Sequence, residues 1–405
     1  MRAMKPLPPK LFVWTVLLLS ILLIAPSLWG AEPIRIGVIT TLTGPEAPLG
    51  SAQKNGYDLA LKAINAKGGV LGRPLELVYE DDGGKTQGAI SAVESLIGRQ
   101  KVVAISGAYT SQSTFSAGGV ANRNGIPFLC PTGASDEITR QGFEWVFRIN
   151  APSSVYASSM MEALRRTVQP KSLAIIHEST LFGSSTAKSI QEDAKKNGIE
   201  VRLVEQYEKG AADFKPTLLK IKGSQPDVVF MVSYVQDAIL LMRQAHEVDL
   251  NPKVFAGAGA GFTTPEFLQG AGRDAEYLLT NTQWAPDAPF PGSKEFAADY
   301  QKTYGRPPTY HAAESYATVL VLADALRRAG ATDPAKLRDA LNQTDLMTPF
   351  GPIKFENYDG FTHQNRHAMP VLQILKGQYV TVWPPSFATG KLISPIPPWK
   401  ERAQK

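Results

Sequence analysis

The sequence predicts an α/β protein of two doubly wound lobes, each a parallel sheet with helices on both faces. Three observations carry this. The chain has 405 residues, more than a single hydrophobic core usually serves. Short β-rich apolar runs alternate with helical patterns. The alternation then starts afresh after a stretch with Pro152 and several serines. Apolar content of 43% and charged content of 20% belong to a globular chain, not a disordered one.

The first 31 residues stand apart. Arg2, Lys5 and Lys10 form a basic region without an acid, and "LFVWTVLLLSILLIA" follows as an apolar core. "PSLWGAE" then supplies a helix breaker and small residues, the layout of a secretory leader. The run is shorter than the ~20 residues a membrane span needs, although an uncleaved anchor is the alternative. A cut after Gly30 or after Ala31 fits. No cysteine lies near it, so a lipid anchor is not available and export to the periplasm is expected. The leader holds three of the bases behind the net charge of +5, and no basic run suggests nucleic acid. The only cysteine, Cys130, leaves no internal disulfide and sits in "IPFLCPT" as a buried, inert thiol.

The first array begins with "IRIGVITTL". A helical pattern then stops at Gly68–Gly69, and "LELVYEDD", a helix near 87–99, "VVAISGA", a helix near 113–124 and "IPFLCPT" follow. The strands are continuous apolar runs, as sheets covered on both faces require. "FRINAPSSVYASS" reads as a crossover. The second array runs "SLAIIHES", "VRLVEQY", "DVVFMVS", "KVFAGAG" and "YLLTNT", with helices between. "QWAPDAPFPG" is a further crossover. Two long helical patterns come next, then "GPIKFE" and "AMPVLQILKGQYVTVWP", expected as a terminal hairpin. The tail beyond Trp383 is rich in proline and is expected to lie extended along the surface.

Enzyme signatures are missing. "KVFAGAGAGFTTPEF" does not fit G-x-G-x-x-G, because position 262 is Phe, and it lies late in its array. Neither a phosphate loop nor a nucleophile elbow is present, and no cofactor is expected. His363 and His367 are four apart in a polar turn, expected to be a solvated loop, with nothing to complete a metal site. His311 and Glu314 share a helix face, which surface exposure or cleft lining explains. What remains is two polar strand-to-helix turns, "GAYTSQST" and "CPTGASDEIT". Their hydroxyls and first-turn N–H groups can hold an anion, at the strand ends where open sheets bind ligands.

Together these features resemble the periplasmic substrate-binding proteins of the branched-chain amino acid type, which feed ABC importers. The resemblance runs from about residue 33 to 384. It is carried by "IRIGVITTLTGPEAPLG", "NGYDLALKAINAKGGVLGRPLELVYEDD", "GAYTSQSTFSAGGVANRNGIPFLCPTGASDEIT", "FRINAPSS" and "DVVFMVSYVQDAILLMRQAHEVDL". It implies two Rossmann-like lobes joined by three hinge crossovers. Lobe 1 would take 33–151 and 284–349, lobe 2 would take 152–283 and 350–390, and 391–405 would be the extended tail. The prolines at 152, 286, 289, 349 and 352 fit the crossovers.

The family's ligand positions carry over one at a time. Ser111, with Thr110 beside it, matches the hydroxyl that holds the ligand carboxylate. Thr132, Gly133 and Ala134 match the second turn, where Ala134 replaces a usual threonine. Tyr234 and Phe182 match aromatics closing from lobe 2. Leu49 stands where an aromatic is frequent, and Tyr109 adds apolar contact. The acid that pairs with the ligand ammonium in amino-acid binders falls at about Gly259. Glu178 and Asp237 are the candidate substitutes, although a helix cap or surface carboxylate is the plainer reading of each. The glycines at 257, 259 and 261 would leave room for a bulkier ligand. The expectation is a non-enzymatic monomer that captures a small carboxylate-bearing molecule for a membrane permease. A sensing subunit of a signalling system is the alternative.

Overall fold

The computed structural model describes residues 32–402; the expected leader lies outside them. The first array comprises β1 (Ile34–Thr40), α1 (Ala47–Asn65), β2 (Leu75–Asp81), α2 (Thr86–Gly98), β3 (Ala104–Ser106), α3 (Ser111–Arg123), β4 (Phe128–Cys130) and β5 (Val146–Arg148). The second opens with α4 (Ser153–Thr167), β6 (Ser172–Glu178), α5 (Leu181–Lys196), β7 (Glu200–Tyr207) and α6 (Lys215–Ser224). It continues through β8 (Val228–Val232), α7 (Val235–Glu247), β9 (Val254–Gly257), α8 (Pro265–Ala271) and β10 (Leu279–Asn281). Three helices follow: α9 (Ser293–Tyr304), α10 (Tyr310–Ala329) and α11 (Pro334–Asn342). The last strands are β11 (Asp345–Thr348), β12 (Gly351–Tyr358), β13 (Phe361–Asn365), β14 (Val371–Leu375) and β15 (Gln378–Trp383).

Two sheets result. Lobe 1 has the order β11-β12-β13-β5-β4-β3-β1-β2 and lobe 2 the order β15-β14-β10-β9-β8-β6-β7. The expected parallel pairing holds from β2 to β5 and from β7 to β10. Central β8 is wholly buried, whereas edge β7 alternates half-buried and exposed residues, as position in the sheet demands. In both lobes the order reverses beside the first strand of the array. That reversal opens a crevice at the strand carboxyl ends, and the two crevices face each other.

The expected third crossover near residue 350 is displaced. β12 pairs antiparallel with β11 and β13, and β13 lies parallel to β5 through Gln364 and Arg148. Residues 351–365 therefore belong to lobe 1, and the chain crosses between Asn365 and Val371. Pro349 and Pro352 sit in and beside a tight β11–β12 turn, not in a hinge. The single expected hairpin is two hairpins in different sheets, β12–β13 and β14–β15.

The crossovers are bonded to one another. Gln283 accepts from the Ala151 N–H at 2.9 Å and donates to the Tyr156 hydroxyl at 2.9 Å. His367 bonds the Gln283 carbonyl and stacks on Phe350 at 4.2 Å. Its expected solvated setting is thus corrected: it is buried in the hinge, and burial lowers its pKa to about 4. His363 stacks on Phe147 at 4.4 Å. Among the described residues no group of three or more His, Cys, Asp or Glu is placed to hold a metal. No described helix is long and apolar enough to cross a membrane. Cys130 is buried, and burial pushes its thiol up to about 12.

The tail is anchored, not merely laid on the surface. Ile396 and Trp399 are buried in lobe 2. The Trp399 indole donates to Leu250 O at 2.7 Å and stacks between His246 and the Arg402 guanidinium.

Candidate functional site

The facing crevices form one cleft. Lobe 1 lines it with Tyr109, Ser111, Thr132, Ala134, Tyr310 and His311, and lobe 2 with Tyr156, Phe182, Tyr234 and Ala260. These residues come from the turns after β3, β4, β6, β8 and β9 and from the starts of α4 and α10. The lobes are closed on one another. The Ala260 N–H donates to the Tyr310 hydroxyl at 3.0 Å, the Asp136 N–H donates to Ser185 Oγ at 3.2 Å, and the Tyr109 and Tyr234 rings are 6.3 Å apart. The enclosed space is about 20 Å³, room for about one water molecule. A ligand of amino-acid size therefore enters with separation of the lobes or rotation of the rings. A wider groove of about 1080 Å³ lies beside Trp399 and Tyr277. It is away from the strand carboxyl ends, where ligands of such sheets bind.

Ser111 is the best-placed polar group. It opens α3, and its Oγ accepts from the N–H groups of Ala134 and Ser135, both at 3.1 Å. Its own proton is thereby left as the part that can point at a ligand. Thr132 is more committed: its hydroxyl faces the carbonyls of Ala108 and Tyr109 at 3.1 and 3.2 Å, and it accepts from Gln53 Nε2 at 3.0 Å. Thr110 caps α3 by accepting from the Ser113 N–H at 3.2 Å, so that N–H is not free for an anion. Gly133 is set by packing, because a Cβ there would meet Ile138 and Thr114 at 2.8 Å. Leu49 shares an apolar cluster with Tyr109, Phe182 and Tyr234 but faces a neighbouring hollow beside Thr264 and Arg306.

The stretch around Gly259 corrects the expectation of spare room. A Cβ at Gly257 would meet the Phe262 ring at 2.5 Å, at Gly259 the Tyr156 ring at 2.6 Å, and at Gly261 the Tyr234 backbone at 2.4 Å. The missing side-chain volume is filled by the protein itself. Gly259 also has φ of +49°, a conformation that favours glycine. Thr264 caps α8 ahead of Pro265, as its sequence suggests.

Neither proposed substitute acid lines the cleft's hollow. Glu178 accepts from the Thr180 hydroxyl at 2.9 Å and from the N–H groups of Thr180 and Gly183 at 2.5 and 2.7 Å; it fastens the start of α5. Burial raises its pKa against those bonds. Asp237 accepts from the Gly210 N–H at 3.1 Å, with burial again raising its pKa. Glu314 is wholly buried one turn behind His311, with no partner for either oxygen, and burial holds its carboxyl well above the usual range. His311 is kept neutral, its pKa lowered by burial to about 3, and its Nε2 lies 3.3 Å from the Tyr109 hydroxyl. No acidic side chain lines the remaining hollow; Glu46, buried at the lobe boundary near Tyr234, is paired with Lys209.

Tyr156, Tyr310 and Ala260 escaped the sequence reading. Tyr156 lies in the first turn after the Pro152 crossover, and Tyr310 and His311 open a helix of lobe 1 over 150 residues away. Only the His311 helix face carried a usable signal.

Comparison with known proteins agrees with this architecture. Residues 33–378 match the sequence model of a family described as periplasmic binding protein. The Leu/Ile/Val-binding protein homolog 7 of Brucella melitensis is 31% identical over 390 residues, covering 92% of this chain and 98% of that protein. The leucine binding protein LivK of Thermotoga maritima superposes with a TM-score of 0.80 at 23% identity, covering 86% of this chain and 97% of that one. A solute binding protein of R. palustris in complex with benzoate gives 0.78 at 20% identity, with coverages of 86% and 95%.

Proposed function

The chain belongs to the periplasmic binding protein family, and on that footing we propose that it is the extracytoplasmic capture subunit of an ABC importer. It holds a small carboxylate-bearing molecule between its lobes and delivers it to a membrane permease without transforming it. The observation that carries this is Ser111: a hydroxyl with both acceptor sites filled by N–H groups lines a closed cleft between two lobes. A group so arranged is a donor waiting for an anion. The relatives support the role, since those named are binding proteins for branched-chain amino acids or a carboxylate.

The ligand of this chain lacks an α-ammonium. A buried ammonium without a charge partner costs several kcal/mol; the hollow's lining carries no acid, and the interlobe carboxylate of Glu46 is already paired with Lys209. Glu178 and Asp237 are spent on backbone N–H groups. Four tyrosines and Phe182 favour an apolar or aromatic body on the acid. The test is a thermal-shift and calorimetry panel of leucine, 4-methylpentanoate, 2-oxo acids, phenylalanine and benzoate. Des-amino acids are expected to bind at least as tightly as the matching amino acids, with no turnover. A clear preference for the amino acid refutes the ligand class, and consumption of any hit refutes the binding role.

A further inference from the structure

Behind the turn that holds Ser111 lies a buried cation that the cleft itself does not expose. Arg148 heads the largest fully buried side chains among the described residues. Its Nη1 donates to the carbonyls of Ser135, Ala134 and Gly133 at 2.5, 3.1 and 3.4 Å, and its Nη2 donates to Thr139 Oγ1 at 2.8 Å. Its Nε donates to Gln364 Oε1. None of these partners is a carboxylate. The neighbouring acid, Asp136, is occupied by the Ser154 N–H at 3.0 Å and by Arg140 at 3.3 Å. A guanidinium keeps its proton even when buried, so a full positive charge sits within the lobe.

Two consecutive peptide units separate that charge from Ser111. The Gly133–Ala134 unit turns its carbonyl to Arg148 and its N–H to Ser111 Oγ, and the Ala134–Ser135 unit does the same. The cation shares these carbonyls with neutral donors, Asn150 Nδ2 at 3.3 Å on Gly133 and the Ser153 N–H at 2.7 Å on Ala134, and its charge adds to the polarisation of each dipole, positive end toward the serine oxygen. A hydroxyl that accepts two such bonds becomes a stronger donor through its own proton. We propose that Arg148 is a positioning residue that sets the cleft's preference for an anion, acting through these two peptide units on Ser111. The proposal rests on the carboxylate reading of the cleft. A purely structural Arg148 would staple the turn equally for charged and neutral ligands; a charged relay favours the carboxylate over its neutral amide.

Calorimetry on the full mature chain with benzoate and 4-methylpentanoate, each beside its primary amide, separates the two. R148M and R148Q are expected to weaken carboxylate binding by about tenfold, of the order by which a hydrogen bond to a charged group exceeds a neutral one. Amide binding should stay within about threefold of wild type, and in an S111A background the same changes should alter carboxylate affinity by less than about threefold. R148Q keeps donors for the turn carbonyls and carries the test where R148M does not fold. Equal losses for acid and amide, or additive losses in the S111A background, overturn the role of Arg148 and leave the proposed function standing. No binding of any panel carboxylate by the wild-type chain overturns the proposed function, and this inference with it.

Discussion

Ser111 has two duties, and its removal separates them. Ser111→Ala deletes the donor to the ligand and the acceptor for the Ala134 and Ser135 N–H groups. Loss of a charge-assisted bond weakens carboxylate binding by about 1–3 kcal/mol; unchanged affinity by calorimetry would remove Ser111 from the site. Glu314 is the opposite case, a group that costs stability where it stands. Its folded pKa is raised, so the folded state holds a proton that the unfolded chain releases near pH 4.3. Stability therefore falls as pH rises from there toward the folded value, by about 1.4 kcal/mol per pH unit. Glu314→Gln removes the titration, and chemical denaturation should show the variant gaining on wild type between pH 5 and 8. A pH-independent difference would mean that Glu314 is ionised in the fold.

Among the elements, the C-terminal tail depends on one anchor. Trp399 is buried against Phe255, His246 and Arg402 and donates to Leu250 O. Trp399→Ala removes a core-sized aromatic and should destabilise lobe 2 by about 3–5 kcal/mol. Urea unfolding followed by far-ultraviolet circular dichroism, which does not depend on the tryptophan removed, reads it, and a loss below about 1 kcal/mol would show the tail to be dispensable. Local sequence did not announce this anchor, because its partners are some 150 residues upstream. The same distinction explains what else was legible. The βα arrays and the capped turns at Ser111 and Thr264 are written in adjacent residues, as periodicity, hydroxyls and Pro265. Strand partners are not. Residues 351–358 carry no local mark saying which sheet they join, and the prolines at 349 and 352 drew the boundary to a turn. Tyr156 and Tyr310 reach the cleft only through long-range packing. The glycines from 257 to 261 read as room for a ligand, but this chain's own aromatic rings and backbone fill that volume.

For the molecule as a whole, closure is assisted by charges that belong to the protein. Glu46 of lobe 1 pairs with Lys209 of lobe 2 at 2.7 Å, and Lys209 lies 5.4 Å from the centre of the Tyr234 ring. A second interlobe pair, Arg306 with Glu266, spans 3.4 Å. The two are unequal. Both members of the second pair are about a third exposed, and such pairs contribute about 0–1 kcal/mol. Glu46 is only 3% exposed, so without Lys209 it would be a carboxylate shut away from water, a state that opening relieves by hydration. Lys209→Met should therefore shift the lobes toward the open arrangement by about 1–2 kcal/mol, with the full cost of a buried unpaired charge discounted because Lys209 is itself partly exposed. In solution scattering the ligand-free variant should have a larger radius of gyration than wild type. Its affinity for any cleft ligand should fall about tenfold, since a ligand must then supply the closure that the ion pair supplied. Adding Glu46→Gln to the variant should recover part of both effects by removing the stranded charge. Identical scattering for wild type and Lys209→Met would mean that the other interlobe contacts hold the lobes shut without this pair.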